Sequence, residues 1–534
     1  MSFSKGLNAS SSTLTKNRTP GSVSPFSGLC STCIEGCMGL CEVGRSAFRG
    51  REVIYPQPFG TTTFASEKNY PVDFSHFNIM GSAVGARGIE ADSNKAVFHA
   101  VDTGVSLGEK EKIKLKLPVV IAAMGSTKVA ADNWEGLAAG AALSGVAIVV
   151  GENVCGMDMG AEFKDGRVVN SPQLRKRVES FWRWYDGYGV IAVQANVEDS
   201  GFGVYEYAIK ELGVQAVELK WGQGAKSIGG EVKITELEKA VELAKRGYLV
   251  YPDPMDPTVQ ELFKKGSIKE FERHSRIGML EEQTFLQRVK ELREMGAKYV
   301  FLKTGAYRPS DLARAVKLAS EARIDLLTID GAGGGTGMSP WRMMNEWGIP
   351  TIYLAGLCYQ YLHVLKEDGA YIPPVALAGG VSLEDHVFKA LALGAPYFKM
   401  VGMSRSPVTA VLVGNTIGKF IKNGKVPASV SEKYGASLED IFVSAYKLKE
   451  KLNSDFDNFP AGGLGLYTYF ERITTGLQQL MCGARKFSPE YITRDDIAAL
   501  TEEAARVSGI KHVLDMDLEE SKEILKRNFA SIQI

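Results

Sequence analysis

From about residue 115 onward, short apolar runs rich in Val, Ile and Leu alternate with longer amphipathic segments. The runs are 118–124 (PVVIAAM), 146–150 (VAIVV), 190–194 (VIAVQ), 216–220 (AVELK), 299–303 (YVFLK), 324–329 (IDLLTI), 374–378 (PVALA) and 397–401 (YFKMV), eight in all. Helical patterns lie between them: EGLAAGAALSG (135–145), VYEYAIKELG (204–213), PSDLARAVKLASEAR (309–323) and SLEDHVFKALALGA (382–395). Pro309 and Ser310 give a helix start signal, and Ser382 followed by Asp385 gives a capping pattern. Continuously apolar strands alternating with helices imply a parallel sheet covered on both faces. Eight such units close into a (β/α)8 TIM barrel, an α/β fold, with an open doubly wound sheet as the rival arrangement.

The same pattern divides the chain. Residues 1–28 read as a flexible N-terminal arm, 29–110 as a Cys-rich segment, 111–424 as the barrel and 425–534 as a C-terminal helical extension. The gap from 221 to 298 exceeds one crossover and predicts an insertion. Residues 61–110 show no readable periodicity.

Composition narrows the class. The 534 residues are 45% hydrophobic and 23% charged with a formal net charge of zero, as in ordinary soluble globular proteins. No long basic stretch points to nucleic acid or to an anionic membrane. The most apolar stretch, Gly136 to Gly151, is too short for a membrane span. The first 28 residues hold no apolar signal core, so a cytoplasmic location is expected, and the Asn8 and Asn17 glycosylation patterns read as chance. Four of the seven cysteines, Cys30, Cys33, Cys37 and Cys41, lie within twelve residues, which suggests a metal site over a disulfide framework.

In a barrel of this kind chemistry gathers at the carboxyl ends of the strands. Those ends offer Met124 and Ser126, Glu152, Gln194 and Asn196, Lys220 through Lys226, Lys303, then Asp330 with a glycine turn holding Gly333 and Gly334, then Gly379 with Gly380, and Gly402. Singly, each has a structural reading: a lysine on the rim, Gln194 capping a helix, a carboxylate holding loop backbone. Together they describe a site with three lysines, an amide, two carboxylates and dense glycine. Barrels commonly bind phosphate after strands seven and eight, here Gly379, Gly380 and Gly402, and a helix opening at Ser382 offers N–H groups there. A phosphate at that position with Gln194 and Lys220 above the mouth suits flavin mononucleotide, FMN, because a lysine or amide at the ring edge stabilises the charge of the reduced ring.

At these residues the sequence resembles the FMN-binding synthase domain of glutamate synthases over roughly 115–410. QANVEDSGFGVYEYAIKELG leading to VELKWGQGAKSIGG, then IDGAGGGTGMSP, then LAGGVSLEDHVFKALALGA carry the likeness. The resemblance implies Gln194 and Lys220 near FMN, Lys226 and Glu152 at a 2-oxo acid or imine, and Gly379, Gly380 and Gly402 near the phosphate. It matches Arg246, more loosely, to a carboxylate-holding arginine. Two departures stand out. Glu231 falls where a glutamine is expected to help hold the 2-oxo acid, and a carboxylate there would repel an anionic substrate. The cysteines expected after the last barrel strand for a three-iron cluster are replaced by Gly402-Met403-Ser404-Arg405-Ser406-Pro407. The C-x2-C-x3-C-x3-C run at Cys30 to Cys41 offers four thiolates for a 4Fe-4S cluster in its place, with structural zinc as the alternative.

The expected activity is therefore reductive amination of a 2-oxo acid, 2-oxoglutarate to glutamate, with Lys226, Glu152 and Asp330 catalytic and Lys226, Glu231 and Arg246 at the substrate. No amidotransferase domain is seen, so ammonia would come from solution or from a partner subunit. An electron donor and a homo-oligomer are also expected. Two further readings stay open: an amino-group transferase related to N-methylglutamate synthase, and a non-catalytic flavin subunit of a larger complex.

Overall fold

The computed structural model describes residues 35, 37, 41–55, 66, 68–109, 111–222, 228, 231–334 and 339–528, and every structural statement below refers to these. Eight parallel strands close into a barrel: β1 (Val119–Met124), β2 (Ala147–Val150), β3 (Val190–Ala195), β4 (Ala216–Lys220), β5 (Tyr299–Gly305), β6 (Leu326–Asp330), β7 (Val375–Ala378) and β8 (Phe398–Met403). Each pairs with its neighbour in sequence, and β8 returns to β1. All eight apolar runs are thus barrel strands, and the open-sheet alternative is excluded.

Period-two alternation divides the strands between two cores. Val119, Ile148, Val193, Val217, Val300, Leu327, Leu377 and Val401 pack outward with the surrounding helices. Val149, Ala192, Ala216, Phe301, Leu326, Ala376 and Met400 pack inward as a separate apolar cluster. Leu107, Ile113 and Leu115 join that inner cluster from an antiparallel hairpin, Val105–Leu107 with Ile113–Leu115. The hairpin closes the barrel at its amino-terminal end. Its first strand lies in the stretch where no pattern is readable, and both strands are only three residues long.

The helices follow the predicted pattern with local changes. α1 (Lys128–Ser144) starts earlier than its apolar core, with the Thr127 side chain accepting from the Ala130 N–H at 3.3 Å. The 204–213 pattern forms the helix Val204–Lys210, and a further short helix, Val197–Phe202, precedes it, the two separated at Gly203 in the left-handed region (φ 73°). α2 (Pro309–Glu321) and α3 (Thr351–Glu367) cover the far side of the barrel. α4 (Glu384–Gly394) corrects the capping expectation. His386, not Asp385, supplies the cap: its Nδ1 accepts from the Ser382 and Leu383 N–H groups at 3.2 and 3.3 Å. Those two N–H groups are consequently already paired and do not offer themselves to a phosphate. Burial holds the His386 imidazole below its usual range, hence neutral and able to accept.

The 221–298 gap holds the predicted insertion, a three-stranded antiparallel sheet of Glu231–Ile234, Phe271–His274 and Leu249–Tyr251 with helices Leu237–Lys245 and Pro257–Lys264 on it. The residues after the last barrel strand are mainly helical. α5 (Arg405–Lys422) and α6 (Ala461–Gly483) pack with α1, and glycines make the contact close: a Cβ on Gly140 would meet Leu466 side-chain atoms at 2.7 and 2.9 Å. Ile497–Ala499 pairs antiparallel with Phe77–Ile79, joining the C-terminal region to the N-terminal segment. No helix among the described residues is long and apolar enough to cross a membrane.

Candidate functional site

The inward face that is apolar at the base of the barrel becomes polar one layer higher. On β4, Ala216 points into the apolar cluster, and alternation sends Glu218 and Lys220 to the same side. Register aligns the neighbours: Gln194 lies opposite Glu218, Lys303 opposite Lys220 and Thr328 opposite Lys303. Asp330 ends β6, and Glu152 follows β2. Four adjacent strands and one loop therefore bring Gln194, Glu218, Lys220, Lys303, Asp330 and Glu152 to one layer below the carboxyl-terminal mouth.

Their charges are matched. Lys220 Nζ pairs with Glu152 Oε2, and Lys303 Nζ lies 3.1 Å from Asp330 Oδ2. Gln194, 3% exposed, donates through Nε2 to Glu218 Oε1 at 2.5 Å. Burial lifts the Glu218 carboxyl above its usual range, with Lys303, Gln194 and Lys220 offsetting only part of that rise. For Lys303, burial pulls downward, but Asp330 and Glu218 outweigh it and hold the ammonium above its ordinary value. Glu218 is missing from the sequence expectations. The signal was present two residues before Lys220, since positions i and i+2 of a strand share a face.

Glu152 sits on a buried polar support. Asn153 takes left-handed backbone (φ 62°), uncommon for a non-glycine residue. Its N–H donates to Asp199 Oδ2 at 2.6 Å, while its Oδ1 accepts from Asn196 Nδ2 at 3.1 Å and from the Tyr248 hydroxyl at 3.0 Å. Asp199 is 1% exposed, and burial, with Glu152 adding to it against the Asn153 N–H, raises it to about 7. A single sequence could not reveal this support, because its members come from three separate segments.

The glycine turns form a second part of the site. Tyr70, Gly333, Thr351, Gly379 and Gly380 line one small cleft beside Asp73, whose Oδ1 is engaged by the Ser75 N–H at 2.7 Å. Thr351 Oγ1 donates to the Gly379 carbonyl at 2.7 Å and so ties the β6 and β7 turns together. Gly379 has φ 112°, and a Cβ there would meet Thr351 Oγ1 at 2.5 Å and the Gly331 carbonyl at 2.6 Å. Only glycine fits. The Tyr70 hydroxyl is buried in this cleft without a partner. A buried hydroxyl without a hydrogen bond among the described residues, beside half-buried glycine backbone, suits an anion such as a phosphate. Gly402 is buried on β8, its hypothetical Cβ 2.7 Å from Ala378 Cβ. Gly334 stands against Asp330, and Met124 and Ser126 are half-buried at the end of β1.

Other expected residues lie elsewhere. Lys226 is outside the described residues, as are Cys30 and Cys33. Cys37 is exposed; Cys41 is buried and caps the helix Glu42–Arg49, its Sγ accepting from the Gly44 N–H at 3.2 Å. Arg246 is committed to structure: Nη1 donates to the Gly156 and Asp158 carbonyls at 2.9 and 2.7 Å, and Nε pairs with Glu242 at 3.0 Å. Glu231 is buried on the insertion sheet, its Oε1 3.1 Å from His274 Nδ1. That pairing, with burial against it, lifts His274 above its usual range.

Residues 272–411 match the family model described as the conserved region in glutamate synthase. Over this region and beyond it the chain is similar to glutamate synthase-like proteins. It is 24% identical over 477 residues to the glutamate synthase large subunit-like protein of Rhizobium meliloti (strain 1021), covering 84% of this chain and 88% of that one. It is 27% identical over 290 residues to the archaeal-type glutamate synthase [NADPH] of Thermotoga sp. (strain RQ2), covering 53% of this chain and 47% of that one. It is 31% identical over 205 residues to the archaeal glutamate synthase [NADPH] of Methanocaldococcus jannaschii, covering 37% and 35%. The chain thus spans most of the first relative but about half or less of the other two. Among solved structures, the flavin-binding domain of baker's yeast flavocytochrome b2 aligns over 86% of this chain and 83% of that one, at 12% identity and a TM-score of 0.45.

Proposed function

We propose that this chain is an FMN-dependent oxidoreductase acting on CH–NH2 groups, and that it reduces an imine formed from a 2-oxo acid and ammonia, 2-oxoglutarate giving glutamate. The observation that carries the reading is the single polar layer at the barrel mouth, where two lysines, an amide and three carboxyls converge beside a glycine cradle. The chemistry that FMN would supply there is hydride transfer to an imine carbon. The phosphate would lie against Gly379, Gly380 and Gly402 with the Tyr70 hydroxyl donating to it. Lys220 and Gln194 would hold the polar ring edge, with Lys303, Met124, Ser126, Gly333 and Gly334 around it.

Lys226 would orient the substrate carboxylate. Glu152, anchored by Lys220, would hold the substrate nitrogen and pass it a proton, while Asp330 keeps Lys303 in place below. Glu231 belongs to the same substrate region by resemblance; its pairing with His274 offsets the repulsion that a bare carboxylate would exert on an anionic substrate. Arg246 supports the loop that follows Glu152 and would act by position. Cys30, Cys33, Cys37 and Cys41 would hold a 4Fe-4S cluster that passes electrons inward from a donor protein, zinc being the other metal that four thiolates suit.

The test uses the full chain purified without oxygen. Its absorption spectrum and its iron and zinc content are measured, followed by turnover of ammonia plus 2-oxoglutarate with dithionite-reduced ferredoxin. FMN, iron and glutamate are expected. FMN without reductive turnover would move the chain to the amino-group transferase or flavin-subunit reading, and absence of FMN would end all three.

A further inference from the structure

The polar layer contains five ionisable side chains, and four of them are matched as Lys220 with Glu152 and Lys303 with Asp330. Glu218 is the fifth. It is 1% exposed, sits on the inward face of β4 and takes its hydrogen bond from the neutral Gln194 amide. The groups around it are Gln194 from β3, Lys220 from its own strand, Lys303 from β5, Asp330 with Thr328 from β6, and Tyr205 of the helix Val204–Lys210, whose hydroxyl donates to the Glu218 carbonyl at 2.7 Å. β1, β2 and β7 hold no ionisable side chain, and Lys399 on β8 alternates to the outside because Met400 is in the inner cluster. Ionised, Glu218 leaves the layer with one negative charge in excess.

We propose, building on the FMN reading above, that Glu218 is a redox-linked proton acceptor: its carboxylate takes a proton from solvent when the bound ring gains negative charge, and returns it on reoxidation. Two electrons from the donor and one proton go to the ring, and the second proton goes to Glu218. The coupling is electrostatic. Two negative charges enclosed in one low-dielectric layer oppose each other far more than in water, so adding the first favours neutralising the second. Reduction must therefore favour protonation as much as protonation favours reduction. Burial, which already lifts Glu218 above the usual carboxyl range, brings it toward the pH range in which the exchange can occur. Glu218 acts through its charge and is not a substrate contact.

The experiment is a potentiometric titration of FMN bound to the full chain between about pH 6 and 9, for the wild type and for Glu218→Gln, which keeps the shape and the Gln194 contact but cannot ionise. In a two-electron couple each additional proton steepens the potential by about 30 mV per pH unit. The wild type is expected to show that extra slope over part of the range, and E218Q is expected to lack it. Should E218Q fail to fold, the wild type alone decides: on reduction with a non-protonic reductant in weakly buffered indicator dye, proton uptake per FMN should change with pH by one equivalent beyond that of free FMN. Parallel slopes, or uptake no different from free FMN, would overturn the inference while leaving flavin binding intact. A chain that retains no FMN would instead overturn the reading of the site, and this inference with it.

Discussion

The lower and upper halves of the barrel interior are built from the same strands by the same alternation, yet they hold opposite chemistry. Below, Phe301, Leu326 and Met400 pack in one apolar cluster with the hairpin residues Leu107, Ile113 and Leu115. Above, one or two strand steps later, the inward positions are Glu218, Lys220, Lys303 and Asp330. Burying such groups costs free energy unless each is paired, whereas burying the lower ones is favourable outright. The lower layer therefore holds the frame, and the upper layer is tolerated because that frame fixes its pairs in register. A function that needs charges in a dry place is placed above a plug that keeps water out from beneath.

That contrast can be broken from either side. The largest effect should come from the base: Phe301→Ala removes a fully buried ring and should lower unfolding free energy by about 3–5 kcal/mol in chemical denaturation. FMN affinity of the protein that remains folded should be little changed. Next, Lys220→Met removes the Lys220–Glu152 ion pair and should reduce turnover on the order of 100-fold while the barrel still folds, as far-ultraviolet circular dichroism would show. If K220M destabilised the chain as much as F301A, the division between frame and chemistry would be wrong.

The support under Glu152 gives a pH signature. Asp199 is raised in the folded chain to about 7 from an ordinary value near 4, so its contribution to stability is complete below about pH 4 and is lost as pH rises toward 7. Asp199→Asn should abolish that part of the pH dependence in denaturation curves measured between pH 4 and 8. The smallest effect belongs to the cradle: Tyr70→Phe removes one orphaned hydroxyl and should weaken FMN binding by about 1 kcal/mol, roughly fivefold, without altering the unfolding midpoint of the apo chain.

The barrel was legible because its strands are covered on both faces and so read as unbroken apolar runs, from 118–124 to 397–401. The strand-end residues were legible for the same reason, as polar punctuation at the end of each run. What escaped notice depends on contacts between distant segments or on strands too short to show a period. The plugging hairpin has three residues per strand, and the insertion strands have three or four with mixed burial. His386 caps α4 from within the helix, while sequence spacing pointed to Ser382 and Asp385. Glu218 was readable but is flanked by Val217 and Leu219, and an acidic residue inside an apolar run draws less attention than a lysine at its end. The resemblance matches Arg246 to a carboxylate-holding arginine, and only the fold shows that the Gly156 and Asp158 carbonyls claim it.

The most direct test of the central claim is a fluorescence titration of the apo full chain with FMN. Saturable quenching at one FMN per chain, weakened in both Lys220→Met and Tyr70→Phe, is the predicted result. FMN fluorescence that stays unchanged at micromolar chain, or quenching to which both substitutions are indifferent, would contradict the account.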